Sequence, residues 1–358
     1  MKPFIVVLLM VTLLTSCIAK TEVIEDIYMA LAMAVDFKPT HDDEASLDRS
    51  RKGIDLTLSV PLYTADHKVE SISFKESGIT LKETISSINH KSDQYLSISK
   101  LGAVLFSENV LRSGIGEYAE TLNADPLISG RLILAMTEGR AEHILQGDFR
   151  TNNQPVGRYL CNIVENNFKT FDLPRMNLHQ FIYEWKGIGM DPVMPIIEIS
   201  EKKATLAGIA ILKDDSYMGK LTVEEIVPFT WMKKNTRNGS YVVRLPEQNT
   251  TIQDSTTRVR YKYLPNHNQF NIYIRVEGKL TKSDLSKSIE LSEVRNAINK
   301  QFTNQCETVI AKLQKWGTDP LGLGNVVRSR VRNWDERIWK EQYPSLNIKI
   351  IVDSTIRR

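Results

Sequence analysis

The sequence predicts an α+β protein built as three consecutive mixed α/β domains behind a lipoprotein signal peptide. Three observations carry that expectation. Strand-like and helical segments alternate through roughly the first 185 residues, the pattern of helices covering a sheet. Residues 241–280 then hold three alternating, β-rich segments, which read as an antiparallel meander. Residues 286–316 follow with the longest amphipathic stripe of the chain.

The leader comes first. Lys2 precedes an apolar run over residues 4–14, closed by Leu14-Thr15-Ser16-Cys17. About ten apolar residues are too few to span a bilayer, which takes roughly 20, and they match the h-region of a secretory signal. A leucine and two small residues before a cysteine form the lipobox pattern. It predicts cleavage between Ser16 and Cys17, a diacylglyceryl group on the Cys17 thiol and an acyl chain on the new amine. At about 0.8 kcal/mol per buried methylene, two or three acyl chains anchor a domain without any spanning helix. The expected division is therefore a signal peptide over 1–16, an N-terminal domain over 17–189, a middle domain over 190–250 and a C-terminal domain over 251–358.

Within the first domain, residues 28–37 read as a strand and the charged residues 41–52 as a loop. Residues 54–62 alternate apolar and polar with β-branched side chains, a strand signature. Residues 72–74 are a short extended piece. Leu81, Ile85 and Ile88 share one helical face behind Thr80, a residue type suited to an N-cap. Residues 100–106 and 131–136 read as buried strands. Short helices follow from Ser107 towards Arg112, over 116–122 and over 141–145. Pro155 opens a stronger helix with Val156, Leu160, Ile163, Val164 and Phe168 on one stripe.

The proline-rich residues 190–195 look like a domain boundary. Residues 204–212 read as a strand, Asp214-Asp215 as a turn, 218–221 as a short return strand, and 222–231 as a helix with Glu224 and Glu225 in its first turn. After the meander, Leu291, Val294, Ile298, Phe302, Cys306, Val309, Leu313 and Trp316 mark the long helix, which Gly317 and Pro320 stop. A second helix is expected over about 326–343, ending at Pro344, and a final strand over 347–352.

Composition is that of an ordinary globular chain, with 42% hydrophobic and 25% charged residues. A formal charge of +3 gives no general argument for nucleic acid. Apart from Cys17, the cysteines are Cys161 and Cys306, both on helical apolar stripes. They read either as small buried hydrophobes or, in an exported chain, as a disulfide.

Catalytic signatures are missing from the sequence. The six histidines lack metal-ligand spacing, and there is no H-E-x-x-H or G-x-S-x-G. Ser97-Ile98-Ser99-Lys100 lies in a strand-like context without the later elements of penicillin-recognising enzymes. Asp42, Asp43 and Glu44 read as a solvated loop. Residues 322–325 follow a helix rather than a strand, so they read as a tight connection and not a phosphate cradle. The basic residues around Trp334 and Trp339 read as a solvated helix face, with contact to anionic headgroups as the alternative.

Several strings go beyond general pattern: residues 100–111 (KLGAVLFSENVL), Tyr118, residues 125–129 (DPLIS), 131–135 (RLILA), 138–141 (EGRA) and 319–324 (DPLGLG), then Trp334, Trp339, Tyr343-Pro344 and residues 356–358. In order and spacing the chain closely resembles the Ger(x)C family of spore germination lipoproteins, along essentially its whole length. Many members carry a tryptophan just after the lipidated cysteine, where this chain has Ile18.

The resemblance implies three α+β domains in sequence and a C subunit of a nutrient germinant receptor. It implies anchoring by lipid on the outer face of the spore inner membrane, integral-membrane A and B subunits as partners, no enzymatic chemistry and no cofactor or metal. The expected role is assembly or signalling. Asp319, Pro320, Gly322 and Gly324 are the expected interface or structural loop. The rival reading is a surface solute-binding lipoprotein that captures the nutrient itself, which needs a concave pocket with converging polar groups.

Overall fold

The computed structural model describes residues 27–38, 53–63, 69–147, 153–170, 174–245, 249–281 and 290–357. The stretch expected as one strand over 28–37 is broken at Ala30 and Leu31. Their N–H groups go to the carbonyls of Ser97 and Ser59, both at 2.9 Å. The result is β1 (Ile27–Met29) and β2 (Ala32–Phe37), which join different sheets.

A hairpin of β3 (Ile54–Tyr63) and β4 (Val69–Gly78) adds antiparallel to β2. Helix α1 (Leu81–Lys91) starts as its sequence predicts, with Thr80 Oγ1 accepting the Glu83 N–H at 3.2 Å. Strand β5 (Tyr95–Ser97) pairs in parallel with β1. Strands β6 (Ala103–Ser107) and β7 (Ile133–Thr137) run parallel to β2, joined by α2 (Glu108–Ser113) and α3 (Gly116–Ala124). Helices α4 (Glu142–Gln146), α5 (Val156–Thr170) and α6 (Leu178–Lys186) lead to β8 (Val193–Ser200), again parallel. Strands β9 (Lys203–Lys213) and β10 (Ser216–Leu221) return antiparallel, giving the eight-stranded order β10-β9-β8-β7-β6-β2-β3-β4.

Side-chain alternation fills both faces of this sheet. Met33, Val35, Val104, Phe106, Leu134 and Met136 face one core with α1, α2 and α3. Ala32, Ala34, Ala103 and Ala135 face the other, with α4 and α5. Small residues there let α5 approach closely. A Cβ on Gly157 would sit 2.6 Å from the Leu31 carbonyl carbon.

Helix α7 (Val223–Lys233) follows, its Thr222 N–H donating to Glu225 at 3.0 Å. Strands β11 (Thr236–Arg244), β12 (Asn249–Leu264) and β13 (Gln269–Leu280) form the expected antiparallel meander. The long helix α8 (Leu291–Trp316) crosses this sheet and buries Val294, Ile298, Phe302, Cys306, Val309 and Leu313 against it. Gly317 ends it in the left-handed region at φ 62°. The final strand, β14 (Asn347–Arg357), pairs in parallel with β13 over its whole length, so β13, α8 and β14 make a crossover unit.

The expected divisions at 189/190 and 250/251 do not coincide with breaks in these sheets. Strands β8, β9 and β10 extend the first sheet, and β11 pairs with β12 in the second. Strand β9 is a shared wall. Ile209 and Ile211 face the second core, while Ala210 and Leu212 face the first. Pro195 is tolerated in β8 because the β7 ladder reaches only Ile196 and Ile197.

The helix expected over 326–343 is two helices, α9 (Leu323–Arg328) and α10 (Glu336–Gln342). Asp335 restarts the second by accepting the N–H groups of Arg337 and Ile338 at 2.8 and 3.3 Å. Ile338, four residues after Trp334, is therefore 52% exposed, while Trp339 is buried.

Candidate functional site

The predicted loop over 319–325 folds inwards, and the structure supplies a partner for it that the sequence reading missed. Asp319 Oδ1 accepts the Leu323 N–H at 2.9 Å and Oδ2 the Gly324 N–H at 2.7 Å, which closes the turn into α9. Gly322 opens that helix at φ 71°, in the left-handed region that suits glycine. Gly324 lies flat on Trp339, where a Cβ would come within 2.5 Å of the indole Nε1. Pro320 contributes its carbonyl to Lys233 Nζ at 2.7 Å, and the same ammonium pairs with the buried Glu184 at 2.6 Å.

Asp191 completes the junction from the first sheet's side. Its Oδ2 accepts the Asp319 N–H at 2.6 Å, its Oδ1 accepts the Asp214 N–H at 3.0 Å, and its own N–H donates to the Asp319 carbonyl at 3.1 Å. The Gly189 carbonyl accepts the Asn325 N–H at 2.9 Å, and Gly189 packs against Gly324, where any Cβ would clash at 2.7 Å. Lys340 holds Asp214 at 3.3 Å on the outside. A cavity of about 20 Å³, enough for one water, lies between Asp191, Asp319, Trp339 and Tyr343.

Burial governs the electrostatics. It pushes the Asp319 carboxyl up to about 7, although the Gly324 and Leu323 N–H groups pull it down, and the neighbouring Asp191 charge raises it further. Asp191 is also raised by burial, against the opposing Asp319 and Asp214 N–H groups. The Tyr343 hydroxyl, wholly buried beside these acids, is raised for the same reason. Two acids with raised affinity for protons thus hold together segments that belong to both sheets.

A second polar cluster lies beyond the carboxyl ends of β2, β6 and β7. Both Asp36 oxygens accept backbone N–H groups, from Ala141 at 2.7 Å and Glu142 at 3.0 Å. Arg140 spans Asp55 at 2.9 Å, Glu142 at 2.7 Å and the Phe37 carbonyl at 3.3 Å. Burial opposes the charge on Glu142, but the bonds from Arg140 and Lys75 outweigh it and lower its proton affinity. Beside this cluster a cavity of about 330 Å³ is lined by Asp36, Ser107, Glu108, Asn109 and Arg140.

The other sequence candidates gain nothing from the fold. Ser16, Cys17, Asp42, Asp43 and Glu44 lie outside the described residues. Ser97 Oγ donates to Ser99 Oγ at 3.0 Å, and Lys100 is exposed. Among the described residues no cluster of three or more His, Cys, Asp or Glu side chains is placed to hold a metal, and no helix is long and apolar enough to cross a membrane. Cys161 and Cys306 are both free, the first half-buried and the second fully buried.

The signal for Asp191 was present in the sequence. Asp191-Pro192 and Asp319-Pro320 are both Asp-Pro pairs. Proline favours an extended conformation in the residue before it, and aspartate at such a position commonly bonds nearby backbone N–H groups.

Comparison with known proteins places these residues in context. The family model for the spore germination protein N-terminal domain matches residues 20–199. The model for the spore germination B3/GerAC-like C-terminal domain matches residues 207–358. The chain is 27% identical over 362 residues to spore germination protein GerQC of Bacillus cereus, covering 99% of this chain and 97% of that one. It is 23% identical over 380 residues to the putative spore germination protein YfkR of Bacillus subtilis (strain 168), covering 98% and 94%. The crystal structure of the GerBC protein superposes with a TM-score of 0.55 at 16% identity, over 92% of this chain and 98% of that one, which shows a shared fold.

Proposed function

The chain belongs to the Ger(x)C family of spore germination proteins, and on that premise we propose that it is the lipid-anchored, non-enzymatic C subunit of a nutrient germinant receptor. In this reading Cys17 carries the diacylglycerol and N-acyl lipid that hold the chain to the outer face of the spore inner membrane. Integral-membrane A and B subunits are its partners. Its work is assembly or signalling. The carrying observation is that the two family models run almost end to end, over 20–199 and 207–358, behind a lipobox. The buried Asp191–Asp319 junction supports it, since a tie between two sheets suits a body that passes a displacement on rather than one that performs chemistry.

The test is nutrient-triggered germination of spores carrying Cys17→Ala, with the chain's level followed by blotting. Dodecylamine, which bypasses nutrient receptors, is the control. Loss of the nutrient response with the dodecylamine response intact supports the reading. An unchanged response, with the protein present and other receptors for that nutrient deleted, would show that the lipid is dispensable.

One observation favours a second reading, capture of the nutrient by this chain. Ligands of open α/β sheets bind beyond the carboxyl ends of the parallel strands, and the cavity of about 330 Å³ lies there. Its Asp36 and Arg140 are already engaged, which leaves the Ser107 hydroxyl and the Asn109 amide to grip a solute. Calorimetry with candidate nutrients separates the two readings.

A further inference from the structure

Among the described residues, α8 covers one face of the second sheet and the other face is left open. Alternation along β12, β13 and β14 sends Phe270, Ile272, Ile274 and Ile350 towards α8. The other face is laid out in three cross-strand rows. Arg258, Arg275 and Asp353 make one; Arg260, Tyr273 and Ile351 the next; Lys262, Asn271 and Lys349 the third. Five of these nine side chains are cations and one is an anion.

All five cations are exposed. Arg275 approaches Glu277 only to 3.6 Å, and Arg258, Arg260, Lys262 and Lys349 have no ion-pair partner among the described residues. Arg258 lies directly opposite Arg275 in the ladder, a like-charge pairing that costs stability until an anion covers it. The whole chain carries a formal charge of only +3, so this face is a concentration of charge and not a reflection of composition. A groove of about 590 Å³ runs over it, with Tyr273 and Ile351 in its floor between the flanking cations.

We propose that this open face of the second sheet rests on the anionic phospholipid headgroups of a membrane. Unpaired cations match the phosphates in charge, each worth about 1 kcal/mol near such a surface. A tyrosine beside an aliphatic side chain suits the boundary between headgroups and acyl chains. A soluble acidic segment of a partner protein would satisfy the cations but gives no role to the Tyr273–Ile351 row. The contact goes beyond the Cys17 anchor, since it orients the body on the membrane as well as holding it there.

The experiment uses residues 17–358 with Cys17→Ala, so that no lipid assists. Sedimentation is measured with vesicles of phosphatidylcholine alone and of phosphatidylcholine mixed with phosphatidylglycerol. Binding is expected to the anionic vesicles only, weakening steeply with salt. The triple variant Arg258→Gln, Arg260→Gln and Lys262→Gln is expected to lose about a hundredfold in affinity with no fall in Tm. Equal binding to neutral vesicles, or an unaffected triple variant, overturns the proposal. So does absence of vesicle binding while the same three cations hold soluble polyglutamate, which would assign the face to an acidic protein segment. None of these results bears on the Cys17 reading, which the germination test reads separately.

Discussion

Asp191 Oδ2 accepts the backbone N–H of Asp319 at 2.6 Å, joining two Asp-Pro pairs that lie 128 residues apart in the chain. The bond is buried and is matched by the return bond from the Asp191 N–H to the Asp319 carbonyl. It ties the segment entering β8 of the first sheet to the turn that follows the long helix over the second. The predictions begin from this tie.

The junction should make stability fall as pH rises. An unfolded aspartate titrates near 3.9, whereas burial lifts Asp319 to about 7. Between those values the folded state binds more protons than the unfolded state, so unfolding free energy declines with increasing pH and levels off above about 7. Urea midpoints should be higher at pH 5.5 than at pH 8, and Asp319→Asn should flatten that difference.

The two glycines of the loop should differ. Gly324→Ala drives a methyl into the Trp339 ring and should cost about 1–3 kcal/mol as overpacking. Gly322→Ala has open space, with only Met190 Cβ at 3.7 Å, and should cost about 1–2 kcal/mol from its left-handed backbone alone. Urea denaturation of each variant, combined with Trp339→Ala, checks this. Only the Gly324 cost should shrink in the double variant.

Lys233→Met should cost about 3–5 kcal/mol, because it strands a buried carboxylate. Glu184 is 4% exposed, and its remaining partner among the described residues is the Gln180 amide at 3.0 Å. Replacing both residues, Lys233→Met with Glu184→Met, should recover much of the loss, as a thermal melt would show.

The thiols should label in a fixed order. Burial pushes Cys161 up to about 11 and Cys306 higher still, and the thiolate is the reactive form. Iodoacetamide should leave Cys306 unmodified in the native chain and modify both cysteines in denaturant. Peptide mass mapping reads the outcome.

Local periodicity made much of the fold legible. Thr80 before Leu81, Ile85 and Ile88 gave α1, and the stripe from Val294 to Leu313 gave the long helix. Both depend on residues three or four apart. What escaped was decided at a distance or by competition. Val327, Val331, Trp334 and Ile338 keep helical spacing across a real break, because Asp335 caps a new helix within that same pattern. Pro192 and Pro195 read as a boundary, yet Pro195 sits where the β7 ladder has already ended. The loop over 319–325 was legible as a glycine-rich connection, but its burial depends on Asp191 and Gly189; Asp191-Pro192 repeats the Asp319-Pro320 pair, yet nothing local says that the two pairs meet.

The placement of β14 sets an order of events in time. It follows α8 in the chain, and it lies in parallel beside β13 at the edge of the sheet that α8 packs on. Until residues 347–357 have emerged, Ile350 and Ile356 are missing from the core that Phe302 and Cys306 share. The second sheet therefore cannot complete its core before those residues are made, and the apolar face of α8 stays partly open until then.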